Sequence, residues 1–448
     1  MKVTFPKFTS SDRELDATYR YRSEVYGKHV KETADGYVVT EFLPPVPWAG
    51  KHNTICCATL HHIREGRWMH ESRVLEDYLH FWCLPEITPR EWTNRYSLAL
   101  ADAYLDYVKV TGDHRAAMVE YRNMEEIHHA WDARQKDGLY FQSCGYDGME
   151  YSISGDGRRP TVNSYMYADK MALSYFARRM GDEEKAETYR REAEMLRARI
   201  NACLWNEKIQ MYGVLSEDGL LQNVREQIGY VPFTYGIPDG GKDGCFRNLF
   251  DPACFLAPYG IRTADASHPE YMKPFDHECL WNGPVWPFAT SQTLTALIAY
   301  LNTARAPKVT ADEFMSLLTT YSLSQRDENG EPWIDEDLHP DTGVWLAREI
   351  MRESGREDKE RGIHYNHSTF IDLVITGVCG IQPSADDTLV IRPLGTSLDF
   401  FSLEDVRYHG HTLSVRFEKS KGLFATLDGE QEFFCPPSGD LALTLCSL

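Results

Sequence analysis

Two carboxylates, Asp147 and Glu336, stand in loop-like stretches crowded with Gly, Tyr, Trp, His and Asn. The first stretch is Ser143-Cys144-Gly145-Tyr146-Asp147-Gly148-Met149-Glu150. The second is Trp333-Ile334-Asp335-Glu336-Asp337-Leu338-His339-Pro340-Asp341-Thr342-Gly343. Around them the sequence has the periodicity of amphipathic helix. A helical scaffold presenting two acidic, aromatic-rich loops suits cleavage of a glycosidic bond, in which one carboxyl gives a proton and another activates water. Each segment alone has a plainer reading: Asp147 between two glycines is a turn residue, and 336–343 is a solvated loop. A turn alone does not call for the Tyr146/Met149/Glu150 cluster, nor for the polar-aromatic helix start that follows it. Thr161 is expected to cap that helix, which runs to about Arg179 and carries Asn163, Tyr165 and Tyr167 early.

Trp281-Asn282-Gly283-Pro284-Val285-Trp286-Pro287-Phe288 fixes a rigid turn and opens a helix at 288–303. Its two tryptophans form either a hydrophobic staple or a sugar-stacking wall. His364-Tyr365-Asn366-His367-Ser368 places two histidines three apart, a spacing that suits metal ligation. No third ligand is evident, and Ser/Asn capping is the simpler explanation.

The elements that position these segments follow from an internal repeat. Leu105–His114 and Leu173–Asp182 both end an apolar-periodic helix at Gly-Asp, the glycine for the left-handed terminus and the aspartate for the next helix start. A charged helix follows each, reaching Trp131-Asp132 or Trp205-Asn206, then Tyr140 or Tyr212. Such hairpins bury one face by stacking on neighbours. Further helices are expected at about 286–305, 310–323, 343–355 and 367–379, a count that fits a closed ring of hairpins. From about residue 386, alternating runs such as Thr388–Arg392 and Thr412–Phe417 are strands of a small β domain.

Of 448 residues, 25% are charged, and the net charge is −20. That argues against nucleic acid, anionic membrane and strongly anionic polysaccharide as partners. The 11 cysteines lack zinc or CxxC spacing, so reduced thiols and a cytoplasmic location are expected. No apolar run follows Met1-Lys2-Val3, so no signal peptide is expected, and no stretch is long and apolar enough to span a membrane. The 10 Trp, 25 Tyr and 20 Phe either line a sugar site or fill a large core.

Together the segments resemble the six-hairpin (α/α)6 glycosidases of the trehalase, processing α-glucosidase and mannosylglycerate hydrolase group. That group carries its general acid in a Glu-Ser-Gly-x-Asp-Asn segment, which Ser143–Gly148 resembles; the resemblance makes Asp147 the acid. Its base lies in Glu-x-Tyr-Asn-Pro-x-Thr-Gly, matched here at Glu336, Pro340, Thr342 and Gly343, with Leu338 and His339 departing. Trp281–Pro287 matches Trp-x-Gly-Pro-Val-Trp-Pro. The resemblance covers about residues 90–380, and Arg159–Tyr167 and His364–Ser368 look like the mannosylglycerate-hydrolase-like subgroup. Gly148 replaces an expected Asn, and the insertion between Gly343 and His364 is unusual for the group.

The expectation is therefore a mainly α protein: residues 1–90 contribute to barrel and pocket rim, 91–385 form an (α/α)6 toroid, and 386–448 form a C-terminal β domain. The implied activity is inverting, exo-acting hydrolysis of α-linked glycosides or small oligosaccharides, without metal or organic cofactor. Asp147 would be the acid and Glu336 the base, with Asp335 and Asp337 as neighbouring alternatives. Tyr146, Glu150, Asn163, Tyr165, Trp281, Asn282, Gly283, Trp286, His364, Tyr365 and Asn366 would bind a small carbohydrate. A different chemistry, sugar epimerisation or polysaccharide lysis, would use His364, Tyr365 and His367. Oligomeric state, sugar, linkage and aglycone stay open.

Overall fold

The computed structural model describes residues 2–90, 95–437 and 439–445. Helices hold 42% of the chain and strands 17%, so the molecule is mainly α. In chain order the helices are α1 (Arg13–His29), α2 (Thr59–Gly66), α3 (Ser72–Cys83), α4 (Leu100–Thr111), α5 (Arg115–His129) and α6 (Pro160–Arg179). They continue as α7 (Glu183–Cys203), α8 (Val231–Thr234), α9 (Pro287–Thr303), α10 (Ala311–Ser324), α11 (Leu346–Glu353) and α12 (Phe370–Leu373), the last prolonged by a π turn over Val374–Val378.

Side-chain pattern sorts these helices into two layers. α6 is buried nearly all round from Pro160 to Ala177, which marks an inner helix. Its partner α7 buries only Ala186, Tyr189, Ala193, Leu196 and Ile200, a stripe at three- and four-residue spacing, and leaves its charges outside. Among the described residues, inner helices touch in a cyclic order: α2 meets α4, α4 meets α6, α6 meets α8, α8 meets α9, α9 meets α12, and α12 returns to α2. Outer helices α1, α3, α5, α7 and α10 pack on them.

Local signals act largely as the sequence predicts. Gly112 ends α4 at φ 69°, and Gly181 turns the chain at φ 81° after α6. The Asp182 side chain accepts from the Lys185 N–H and so caps α7. Thr161 differs: Pro160 opens α6, and the Thr161 hydroxyl donates to Asp147 instead of capping the helix. α11 starts later than expected because Trp345 is still extended and bridged to Leu338.

The C-terminal strands Phe400–Tyr408, His411–Glu418, Gly422–Leu427 and Gln431–Cys435 form an antiparallel sheet. Leu413, Val415 and Phe417 face inward at alternate positions. Its other edge is closed by Lys7–Ser10 from the N-terminus, paired with Phe401–Glu404. Residues 1–90 thus supply a sheet strand and helices α1 to α3, so helical packing begins well before residue 91; that expected boundary itself lies outside the described residues. Among the described residues, no helix is long and apolar enough to cross a membrane.

Candidate active site

A cavity of about 260 Å³ opens where the loops of the helical layer converge. Glu41, Glu150, Glu278 and Glu336 line it together with Arg361, His277, His367 and the rings of Phe42, Trp48, Tyr96, Trp286, Phe288 and Tyr365. Ile55, Cys57, Gly148 and Cys279 complete the wall.

The loop 143–150 divides its two acids between different tasks. Gly145–Asp147 form a single 3-10 turn, and Gly148 leaves it in the left-handed region at φ 71°. Asp147 then points away from the cavity. Its Oδ1 accepts from Ser97 Oγ at 2.7 Å, and its Oδ2 accepts from Arg159 Nε at 2.8 Å and from the Thr161 hydroxyl. Both members of the Asp147–Arg159 pair are fully buried, and each oxygen of this carboxylate already accepts at least one hydrogen bond from the frame. The expectation that Asp147 is the proton donor does not fit this geometry. Glu150, three residues on, does face the cavity. Burial, augmented by the nearby Glu336 charge, raises its carboxyl to about 7.

Glu336 is the one acid of its run that reaches the cavity. Its Oε1 accepts from Arg361 Nε at 2.9 Å, and its Oε2 accepts from Cys279 Sγ at 3.1 Å. Asp335 turns back to accept the Glu336 N–H at 2.9 Å, and Asp337 accepts the Ala347 N–H at 3.0 Å. Burial and the adjacent Glu336 raise Asp335 to about 7 and also push Asp337 well above the usual carboxylate range. Neither of them lines the cavity.

One segment ties the two acidic loops together. The Trp281 N–H donates to the Glu150 carbonyl at 3.0 Å. Val285 and Leu338 exchange two backbone bonds of 2.9 Å each. Trp286 follows the second anchor directly as the N-cap residue of α9, its indole N–H donating to the Leu280 carbonyl. Trp281 stacks behind it, 4.5 Å between centroids and 14° between planes. Trp286 is therefore wall, and Trp281 its backing.

Of the residues expected to bind substrate, Glu150, Trp286 and Tyr365 line the cavity. The others hold the frame. Tyr146 packs edge-on against Tyr96, which takes the lining position. Asn163 bonds both the N–H and the carbonyl of Tyr140, fastening α6 to the preceding hairpin. Tyr165 receives a hydrogen bond from Gln292. Asn282 donates to the carbonyls of Glu270 and Lys273, and Gly283 packs on Tyr271 and Met272 where a side chain has no room. His364 meets Lys28 and Tyr21 outside the cavity, and burial with the Lys28 charge lowers its imidazole to about 4. Asn366 accepts from Arg22. Among the described residues no group of three candidate ligands could hold a metal ion.

Sequence reasoning overlooked Glu41, Glu278 and Arg361. Arg361 is almost wholly buried although it ends the charged run Glu357-Asp358-Lys359-Glu360. It pairs with Glu336, with Glu278 at 2.8 Å and with Asp358 at 3.1 Å, and its guanidinium lies 4.7 Å from the Trp48 ring centroid. Glu41 is buried, and desolvation together with the charges of Glu336 and Glu150 pushes its carboxyl well above the usual range. Its Oε2, and Nε2 of His367, have no hydrogen-bond partner among the described residues. The second ring nitrogen of His367 is held by the Tyr365 hydroxyl at 2.7 Å.

The comparisons bear on this arrangement. Residues 51–368 match the mannosylglycerate hydrolase MGH1-like glycoside hydrolase domain, and the chain belongs to that family of glycoside hydrolases. A solved structure described as a sialidase is 35% identical, with a TM-score of 0.90 over 98% of this chain and 41% of that one. This chain thus spans 41% of that longer protein. The GH63 mannosylglycerate hydrolase of Thermus thermophilus, solved with glucose, is 13% identical, with a TM-score of 0.58 over 80% of this chain and 100% of that one. An α-L-rhamnosidase from Dictyoglumus thermophilum is 12% identical, with a TM-score of 0.59 over 95% of this chain and 44% of that one. The latter two share the fold.

Proposed function

We propose that this glycoside hydrolase is an inverting, exo-acting enzyme on small α-linked glycosides, with Glu150 as general acid and Glu336 as general base. The observation that carries the reading is the placement of these two carboxyls, and not Asp147, in one small cavity. A carboxyl raised to about 7 keeps its proton at neutral pH and can give it to a leaving oxygen. Glu336, paired with a permanently charged guanidinium, is placed to take a proton from water. The Gly-x-acid spacing of the resembled family occurs twice in this loop, as Gly145-Tyr146-Asp147 and as Gly148-Met149-Glu150, and the second copy is the one at the cavity.

The cavity lies below the ~300–1,000 Å³ usual for drug-sized ligands, which supports recognition of one terminal sugar ring. Glu41 Oε2 and His367 Nε2 are buried without a hydrogen bond, the latter 3.6 Å from Glu41 Oε1, and sugar hydroxyls would supply the missing bonds. The cyclic order of inner helices supports reading the scaffold as the (α/α)6 toroid. Likeness to the 35% identical sialidase favours a second reading, release of a sialic acid. Against it, the one arginine of the cavity wall among the described residues, Arg361, is already committed to Glu278, Glu336 and Asp358.

A panel of aryl α-glycosides, including an aryl sialoside, identifies the sugar by released phenol. Proton NMR of the anomeric signal in the first minutes then tests the mechanism: an α-substrate should give the β-sugar first. An initial α-product would make Glu336 a nucleophile. A product of unchanged mass would indicate epimerisation instead.

A further inference from the structure

We propose that Tyr151 and Phe275 form the leaving-group subsite, a stacking platform for a neutral pyranosyl unit joined to the sugar in the cavity. The proposal rests on Glu150 being the acid. A general acid protonates the glycosidic oxygen, so the departing group leaves on its side of the cavity. Tyr151 is the next residue in the chain, and it is turned outward: 40% of its surface is exposed. Phe275, from a different loop, is also 40% exposed, and its ring centroid lies 4.8 Å from that of Tyr151 at an interplanar angle of 34°. The Tyr151 ring also sits 5.2 Å from the ring of His277, which lines the cavity. Three rings therefore run from the cavity wall out to solvent, continuous with the catalytic site.

The backbone supports a functional reason for this display. Tyr151 has φ 60°, a left-handed conformation uncommon for an aromatic residue, and strain of this kind concentrates at ligand sites. Two adjacent rings left in water would gain by being covered, and the apolar C–H face of a pyranose does so while its hydroxyls stay solvated. The chain's net charge of −20, with Glu278 beside His277 in the wall, suits a neutral occupant better than a small anionic one. Specificity for the leaving group would then come from a ring face, while the enclosed cavity reads the terminal sugar.

The test compares substrates that share a terminal sugar but differ in leaving group: an α-linked disaccharide and the matching glycosyl fluoride. Tyr151→Ala and Phe275→Ala should each lower kcat/KM for the disaccharide by about tenfold, chiefly through KM, because a stacking contact contributes on the order of one decade. The fluoride, which has no ring to stack, should be hydrolysed unchanged, and Tyr151→Phe should retain activity on both. Phe275→Ala guards against loss of folding at the strained Tyr151. Equal losses on both substrates, or no loss on the disaccharide in either alanine variant, would overturn the platform while leaving the hydrolase intact. A wild-type enzyme that cleaves the fluoride and no ring-bearing substrate would do the same. One that cleaves neither overturns both readings.

Discussion

Glu150 and Asp147 are three residues apart and chemically alike, yet their surroundings differ, which is the basis for proposing Glu150 and not Asp147 as the acid. Asp147 meets a guanidinium and two hydroxyls; Glu150 meets a half-apolar cavity and another carboxylate. The first environment ties the carboxylate into the frame, whereas burial in the second raises the Glu150 carboxyl to about 7. Glu150→Gln should therefore lower turnover of substrates with poor leaving groups by about 10²–10⁴-fold, while glycosyl fluorides lose far less, because fluoride needs little protonation. Stopped assays on paired substrates check this. The acid must be protonated to act, and its carboxyl is raised to about 7 by burial first and by the Glu336 charge in part. Activity should accordingly fall as pH rises through about 7. A kcat/KM profile whose alkaline limb does not move when Glu150 is replaced would remove it from the acid role.

At the scale of elements, the site depends on how loops are tied to helices and to each other. Segment 281–286 bridges the two acidic loops through backbone bonds at Trp281 and Val285, so side-chain changes there act on wall shape more than on loop position. The Asp147–Arg159 pair fastens the acid loop to the start of α6. Removing one partner of a buried pair leaves the other charge uncompensated, so Asp147→Asn should cost about 3–5 kcal/mol of stability. Denaturant titration reads the loss. Activity should drop by a similar factor on fluoride and disaccharide, unlike the leaving-group dependence expected of Glu150→Gln. Gly362 is a second such constraint: a Cβ there would collide with Asp335 Oδ1, the atom that holds the Glu336 N–H. Gly362→Ala should displace Glu336 and abolish turnover, with unfolding affected much less.

Across the whole molecule, the N-terminus clasps the C-terminal sheet. Lys7–Ser10 pairs with the edge strand beginning at Phe400, while α1, a few residues later, packs on α10 and α12. Deleting residues 2–10 would unpair that edge and uncover Phe401 and Leu403, which are fully buried. A free sheet edge recruits other strands. The expected outcome is a lower melting temperature and concentration-dependent self-association on size-exclusion chromatography. Unchanged elution and melting would show that the clasp is dispensable.

The inner and outer helices, their Gly-Asp joints and the β tail were legible in the sequence because each rests on local rules: the 3.6-residue stripe, the left-handed glycine, the two-residue alternation. That an acid of 335–337 reaches a cavity was legible too, from a loop too aromatic for plain solvent, although the sequence did not separate Glu336 from Asp335 and Asp337. Backbone geometry makes that separation, since Asp335 and Asp337 turn back onto N–H groups of Glu336 and Ala347. The same limit explains Asp147. Its partners Arg159 and Thr161 lie nearby in sequence, but Ser97 lies 50 residues away, and only folding shows that all three converge on it. Glu41, Glu278 and Arg361 reach one cavity from separate stretches of chain, and nothing in their local sequence marks them. Periodicity records which face of an element is buried; which side chains share a cavity is set by long-range packing, and there the tertiary structure alone decides.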